Sequence, residues 1–451
     1  MAVREHWRSG LGFVLAAAGS AVGLGNLWGF AYRASQGGGG AFVFLYLVIV
    51  VIICLPLLVA EMVLGRSTGH SPLIAPITAG GRLWAPLGWL FLIVAVGILS
   101  YYSVLMGWTG HSLLHVLFNP LPADMPAAES YFSEIKSGSN AVLGHLISLG
   151  LTGAVVAAGV RAGIERLTRW GMPLLFVLLL GLLIWASFLS GAQEGYATFL
   201  LNWDSSKLID PATISNAFTQ AFFSIGTGIG AILAYAAYLD RRSSIPNEAV
   251  AVVGMDTAVG LMAGCVTFPI VASFGLGGVV DADPFATFFI SLPYGLASQG
   301  LAGRVVVIVF FALVYIAAIT SAISLLEVPA SSLMDRLGWR RRQAVWACVA
   351  LIAVIGVPSA LDTAFLARMD LLFASICMPA SGLALALLMG WHVPQRYLVD
   401  LAPDEMMPAE LRGYRSYEEY HLLLALRWVS TPAIAVGLVI SIFNVLGKWS
   451  G

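Results

Sequence analysis

Four acids lie inside or at the ends of long apolar runs: Glu61, Asp256, Glu327 and Asp370. An ionisable side chain in hydrocarbon is costly, so each needs a partner. Asp256 sits deepest, between Val253-Gly254-Met255 and Thr257-Ala258-Val259, in a run without a basic residue. A structural pairing with another side chain is one reading, but a bound cation is the better counter-charge. Glu61 lies near Arg66 at a run's end, where helix-end pairing serves as well as any role in transport. Cation binding also needs neutral oxygens. Asn26, Ser224 and Thr320-Ser321, the last pair within Ala317-Ala318-Ile319-Thr320-Ser321, supply them. Hydroxyls in membrane helices also bond back to their own carbonyls, so Thr320-Ser321 taken alone divides evenly between the two roles.

Glycines set these oxygens in context. Gly19-Ser20-Ala21-Val22-Gly23-Leu24-Gly25-Asn26 interrupts the first apolar run, and Ser224-Ile225-Gly226-Thr227-Gly228-Ile229-Gly230 interrupts the sixth. Hydrocarbon offers no partner to freed N–H and C=O groups, so unwinding at mid-membrane implies a protein-lined cavity or a bound solute. Paired breaks at matching places in two halves point to a solute-binding site between repeats. Carbonyls freed at the breaks, with the side chains above, suit a five- or six-oxygen site for a hard cation.

Composition agrees with a membrane setting. Hydrophobic residues make up 59% and charged residues 10% of 451 positions. The mean hydropathy is +0.88. The 48 glycines suit close helix packing in lipid. A net charge of -1 argues against a nucleic-acid partner. Cys54, Cys265, Cys348 and Cys377 all lie in apolar runs, which argues against structural disulfides and shows no metal-ligand spacing. His111 and His115 have i, i+4 spacing but no nearby third ligand, so a metal site there is a minor reading. Gly226-x-Gly228-x-Gly230 lacks the spacing of a nucleotide loop. No nucleophile–base constellation stands out, which makes an intramembrane enzyme a poor alternative.

At about twenty residues per span, the runs give eleven spans. They are 10–34, 41–65, 84–118, 140–158, 164–190, 212–240, 247–275, 303–335, 343–358, 362–389 and 423–446. Most of the 23 basic residues then fall on the side of the N-terminus, which places that end in the cytoplasm. Arg4 and Arg8 ahead of Ala16-Ala17-Ala18 look superficially like a cleavable leader. Glu5 and the unbroken run into the glycines argue that the first helix stays. In the fifth span, Gly163 and Pro173 allow local unwinding, with a tolerated kink the simpler expectation.

These motifs resemble a known family. Arg4-Glu5-His6-Trp7, Ala18-Gly19-Ser20-Ala21-Val22-Gly23-Leu24-Gly25-Asn26 and Gly38-Gly39-Gly40-Ala41-Phe42 resemble the opening of a neurotransmitter:sodium symporter. Gly230-Ala231-Ile232-Leu233-Ala234-Tyr235 and Thr320-Ser321 fit the same family, and the resemblance spans nearly the whole chain. It implies an all-α integral membrane protein, one transmembrane domain over residues 1–451. The five-plus-five inverted repeat would place repeat one at about 10–190, repeat two at about 212–389 and an extra helix at about 423–446. Spans 1 and 6, both broken, would work against a scaffold of spans 3, 4, 8 and 9. It also implies sodium-coupled import of hydrophobic L-amino acids across the plasma membrane, with an ion or solute channel as the alternative.

By position, the resemblance assigns a first sodium site to the Ala21 carbonyl, Asn26, Ser224 and Asp256. A second would use the carbonyls of Gly19, Val22 and Ala317 with the hydroxyls of Thr320 and Ser321. The substrate carboxylate would meet the amides of Leu24 and Gly25 and the Tyr102 hydroxyl, and its ammonium the carbonyls near Ala21, Phe223 and Ser224. Helix N-terminal amides favour an anion and C-terminal carbonyls a cation. Ser20, Ile98, Gly226, Ile229, Ser321 and Leu325 would line the rest of the pocket. Arg4, Trp7, Tyr238 and Asp335 would form the inner gate, with Arg33 and Asp370 at the outer one. Four positions depart from the family pattern. Gly29 stands where arginine is usual, with Ala31 replacing a common proline and Arg33 one turn later supplying the charge. Asp256 stands where asparagine is common, and its fixed charge implies no need for chloride. Gly226 replaces a frequent serine and enlarges the pocket.

Overall fold

The computed structural model describes residues 6–240, 243–275, 285, 287–399, 401 and 420–450. Ser9 caps the first helix, its hydroxyl accepting from the Gly12 amide at 3.1 Å. The helices relevant to the site are α1 (Gly10–Ala21) and α2 (Gly25–Gln36). They continue with α3 (Gly40–Thr68), α4 (Arg82–Phe118), α5 (Gly138–Ala157) and α6 (Val160–Ala186). Then come α7 (Pro211–Ile225) and α8 (Ala231–Ala236). The last are α9 (Ile245–Phe274), α10 (Gly300–Leu337), α11 (Arg341–Leu361), α12 (Thr363–His392) and α13 (Tyr420–Leu446).

Among the described residues, nine helices are long and apolar enough to cross a membrane. The pair α1 and α2, bent by 67°, makes a tenth. The expected span at 212–240 is the pair α7 and α8, of 15 and 6 residues, each too short to cross alone. That pair completes the eleven runs read from sequence.

The helices sort into two packed groups. In one, α4, α5, α10 and α11 pack on one another. Glycine lets their backbones touch, since a Cβ on Gly107 would press on the Gly144 carbonyl group and one on Gly356 on the Ser100 carbonyl. Buried His145 pins three of these helices, its Nδ1 2.8 Å from the Ser103 hydroxyl and its Nε2 3.2 Å from the Ala353 carbonyl. In the other group, α1 packs on α6 and α9, and α3 packs on α8 and α9. Both glycine breaks lie in this second group and face α4 and α10.

In α6 the irregularity sits before the proline. Gly159 has φ +102°, a wide π turn follows over Val160–Ile164, and the helix then runs through Pro173 without interruption. The close approach at Gly163, where a Cβ would overlap the Val155 carbonyl, explains why the chain turns here.

Candidate functional site

The first break covers Val22, Gly23 and Leu24, between α1 and α2. Here the backbone groups freed by unwinding find side chains. The Gly23 amide donates to Asn26 Oδ1 at 3.1 Å, and the Leu24 amide donates to the Tyr102 hydroxyl at 3.1 Å. The Ser321 hydroxyl lies 2.9 Å from the Val22 carbonyl and 3.3 Å from that of Gly19. Asn26 belongs to α2 of the same span, whereas Tyr102 and Ser321 come from helices α4 and α10, outside it.

The second break uses backbone geometry. Gly226, Gly228 and Gly230 have φ of +73°, +85° and +84°, the left-handed region that costs a side chain roughly 1–2 kcal/mol. A Cβ at Gly228 would stand 2.5 Å from the Met378 carbonyl, so that glycine is needed for space as well. Two amides freed at this break turn to Glu61. Gly228 donates to Glu61 Oε2 at 3.0 Å and Leu233 to Oε1 at 3.3 Å. Glu61, fully buried, therefore faces the break; Arg66 reaches the Ser243 carbonyl at 2.5 Å. The helix-end reading of Glu61 gives way to a cap on α8. Its distance in sequence from residue 228 hid this role.

Between the breaks lies a buried polar cluster. Asn26 Nδ2 donates to Asp256 Oδ1 at 2.6 Å and to the Ser224 hydroxyl at 2.7 Å. Ser224 donates to Asp256 Oδ2 at 2.6 Å, and the Tyr46 hydroxyl lies 3.2 Å from Ser224. Three residues separated by up to 230 positions thus meet at one carboxylate. Tyr46 is a fourth member that sequence reasoning missed, because a tyrosine in an apolar helix gives no local signal. Thr320 bonds back to the Ile316 and Ala317 carbonyls at 3.1 and 3.0 Å. Ser321 also approaches Ala317, at 3.2 Å, so its hydroxyl has carbonyls from both α1 and α10 within reach. Thr320 shows the back-bonded arrangement, and Ser321 bridges two helices.

A small cavity of about 20 Å³ adjoins this cluster. Ser20, Ala21, Gly23, Asn26, Ile98, Tyr102, Phe223, Gly226, Ile229, Ser321 and Leu325 line it, with Ala231 and Ser324. Its polar end is the first break; its far wall is Ile98, Ile229 and Leu325. Ser20 faces Ser324, hydroxyl to hydroxyl at 2.7 Å. Gly25 sits under the Phe223 ring, where a Cβ would come within 2.6 Å. Leu24 and Gly25 do not line the small cavity; they line a larger one of about 280 Å³ on the far side of Phe223. Arg33, Tyr101 and Asp370 also line that larger cavity. The Tyr101 hydroxyl donates to Asp370 Oδ1 at 2.9 Å. Arg33 Nη1 donates to Gln220 Oε1, and Gln220 Nε2 donates to the Gly25 carbonyl at 3.1 Å. The Arg33 guanidinium lies 3.8 Å from where a Cβ of residue 29 would stand. Gln220, a polar residue inside apolar α7, is the second residue missed.

At the other end, the Trp7 indole donates to the Tyr235 carbonyl at 2.9 Å and packs edge-on against Phe13 and Tyr235. The Tyr238 hydroxyl donates to Glu327 at 3.0 Å, and Arg341 closes on the same carboxylate at 2.5 Å. Asp335 accepts from the Ser71 amide at 2.7 Å. Arg4, assigned to this gate, lies outside the described residues.

Residues 4–135 and 138–447 match the family described as the sodium:neurotransmitter symporter family. A sodium-dependent transporter of Methanocaldococcus jannaschii is 32% identical over 368 residues, covering 78% of this chain and 74% of its own. YhdH, a sodium-dependent transporter of Bacillus subtilis, is 29% identical over 463 residues, covering 98% of each. The crystal structure of MhsT in complex with L-phenylalanine superposes with a TM-score of 0.87 at 32% identity, covering 97% of this chain and all of MhsT. The chain is a multi-pass sodium-dependent symporter and not an enzyme, and it belongs to the sodium:neurotransmitter symporter family.

Proposed function

We propose that this symporter imports hydrophobic L-amino acids, aliphatic and aromatic, by alternating access. The observation that carries the reading is the small cavity with one polar end and one apolar wall. Ile98, Ile229 and Leu325 offer a side chain no hydrogen bond, so a charged or strongly polar substrate would lose several kcal/mol there. An apolar side chain gains about 25 cal/mol per Å² buried. The amino-acid backbone suits the other end, where Tyr102, Asn26 and the freed groups of the first break converge. The resemblance to MhsT with bound L-phenylalanine supports the same class.

Sodium would occupy two sites. Ser224, Asp256 and the Ala21 carbonyl offer oxygen to a hard cation, and Asn26, whose Nδ2 faces Ser224 and Asp256 here, would turn its Oδ1 to the ion. The second site combines the carbonyls of Gly19, Val22 and Ala317 with the hydroxyls of Thr320 and Ser321. Asp256 brings a fixed negative charge to the first site, so chloride is not required. Arg33 and Asp370 would close the outer cavity, while Trp7, Tyr238 and Asp335, with Arg4, would close the inner end. The scaffold of spans 3, 4, 8 and 9, drawn from both repeats (10–190 and 212–389), rocks about this site, in the cell membrane with the N-terminus cytoplasmic. A channel is not favoured in a family of symporters.

Uptake of labelled amino acids into proteoliposomes tests this. A sodium gradient should drive saturable uptake of L-leucine, L-phenylalanine and L-tryptophan, unchanged when gluconate replaces chloride. Uptake that ignores the gradient, or that prefers glutamate or lysine, would refute the reading.

A further inference from the structure

A second large cavity lies away from the transport site, on the outer surface between α5, α6 and α10. It encloses about 610 Å³. Its floor is built from small side chains, Ala154, Ala158, Ala162 and Gly163, because α5 ends at Ala157 and the chain turns sharply at Gly159. A side chain at residue 163 cannot fill this corner, because its Cβ would overlap the Val155 carbonyl. The groove's α6 lining runs from Ala162 to Leu174, roughly 18 Å at 1.5 Å per residue. The surface around it is that of a helix in hydrocarbon: Trp170 is 76% exposed and Val177 65%.

Charge is confined to one end. Arg166 lines the groove near the α6 start and Arg169 follows one turn later beside it, both exposed. Among the described residues neither has an acidic partner, for the neighbouring Glu165 is buried and accepts from the Arg8 amide at 3.1 Å. A long apolar groove with unpaired cations at its aqueous end is complementary to one class of molecule. We propose that the groove seats an acyl chain of an anionic phospholipid, with Arg166 and Arg169 holding the headgroup phosphate. Trp170 beside them is suited to the headgroup level, where amphipathic rings settle. The floor is thin: Gly171 lies on the inner side of α6, and a Cβ there would stand 3.4 Å from Ile316 and 3.9 Å from Thr320. Ile316 and Ile319 of α10 also line the groove, so the seated chain lies against the helix that carries the Thr320-Ser321 hydroxyl pair.

Native mass spectrometry of the purified full chain, titrated with dioleoyl phosphatidylglycerol and separately with dioleoyl phosphatidylcholine, tests the proposal. The anionic lipid should be retained preferentially. Arg166→Gln and Arg169→Gln should each weaken it about fivefold, the worth of one basic residue at an anionic surface. Ala158→Phe, which fills the groove and leaves both arginines, should remove the retained lipid; Ala162→Leu serves the same purpose should the first variant fail to fold. Equal retention of the two lipids would overturn the proposal. So would wild-type retention in either groove-filled variant, or displacement of the lipid by millimolar inorganic phosphate, which would mark a headgroup site without an acyl seat.

Discussion

The two glycine breaks look alike in sequence and are closed by opposite means. At the first, no residue takes a left-handed conformation, and the freed groups are met by neutral side chains: Asn26, Tyr102 and Ser321. At the second, three glycines are left-handed and two amides are tied to the carboxylate of Glu61. Neutral hydroxyls and amides exchange partners at small cost, because a typical neutral hydrogen bond contributes only about 1 kcal/mol net. A buried carboxylate bonded to amides is held more firmly, since charge-assisted bonds are roughly twice as strong. The first break is therefore the adaptable one, whose backbone groups can change partners at less cost. The second is a fixed corner that shapes the pocket wall.

The largest expected effect follows from the junction of the two breaks. Among the described residues Asp256 is the one carboxylate that reaches both, through Asn26 after the first and Ser224 before the second. Asp256→Ala should abolish sodium-driven uptake in proteoliposomes, because losing a ligand to a desolvated ion costs several kcal/mol. The variant should still insert and purify. Full sodium-dependent transport by it would break the assignment of the first site.

Glu61 sharpens the contrast as a matter of stability. Glu61→Ala leaves the Gly228 and Leu233 amides unmet, at about 1–3 kcal/mol each. Glu61→Gln keeps one carbonyl oxygen and should lose about half as much. Thermal unfolding in detergent measures both. An alanine variant as stable as the parent would show that the second corner does not depend on its acid. By comparison, Tyr102→Phe at the first break should leave the unfolding temperature nearly unchanged and weaken substrate binding, read as a rise in KM.

The comparison also explains what the sequence made legible. Spans, breaks and the oxygens beside them depend on local runs and spacing, so 10–34 and 212–240 emerged as broken spans from their glycines alone. Asp256 was legible because an acid in an apolar run stands out. Glu61, Tyr46 and Gln220 act across gaps of more than a hundred residues, where only the packing of α3 and α7 against the breaks reveals a role. In the fifth span the two residues that allow unwinding part company: Gly163 lies in the irregular turn at 159–164, while the helix runs on through Pro173. A proline inside a membrane helix removes one bond, and the structure accommodates it without unwinding.

The smallest expected effect separates two glycines within the same corner. Both Gly226 and Gly228 are left-handed, so any side chain at either carries a similar backbone cost of roughly 1–2 kcal/mol. Their surroundings differ. At Gly226 a Cβ would meet only Ile229 Cδ1, at 3.8 Å, on the edge of the small cavity. At Gly228 it would press on the Met378 carbonyl, which belongs to the backbone of α12 and cannot move aside. Gly228→Ala should therefore lower stability and reduce uptake of every substrate alike. Gly226→Ser adds a side chain that intrudes on the space for the substrate. Beyond the shared backbone cost, it should weaken tryptophan more than phenylalanine and leucine least, a spread of about tenfold if overpacking costs 1–3 kcal/mol for the largest ring. Competition against labelled leucine reads that spread directly. Equal losses for leucine and tryptophan would mean that residue 226 sets the shape of the chain and not the size of the pocket.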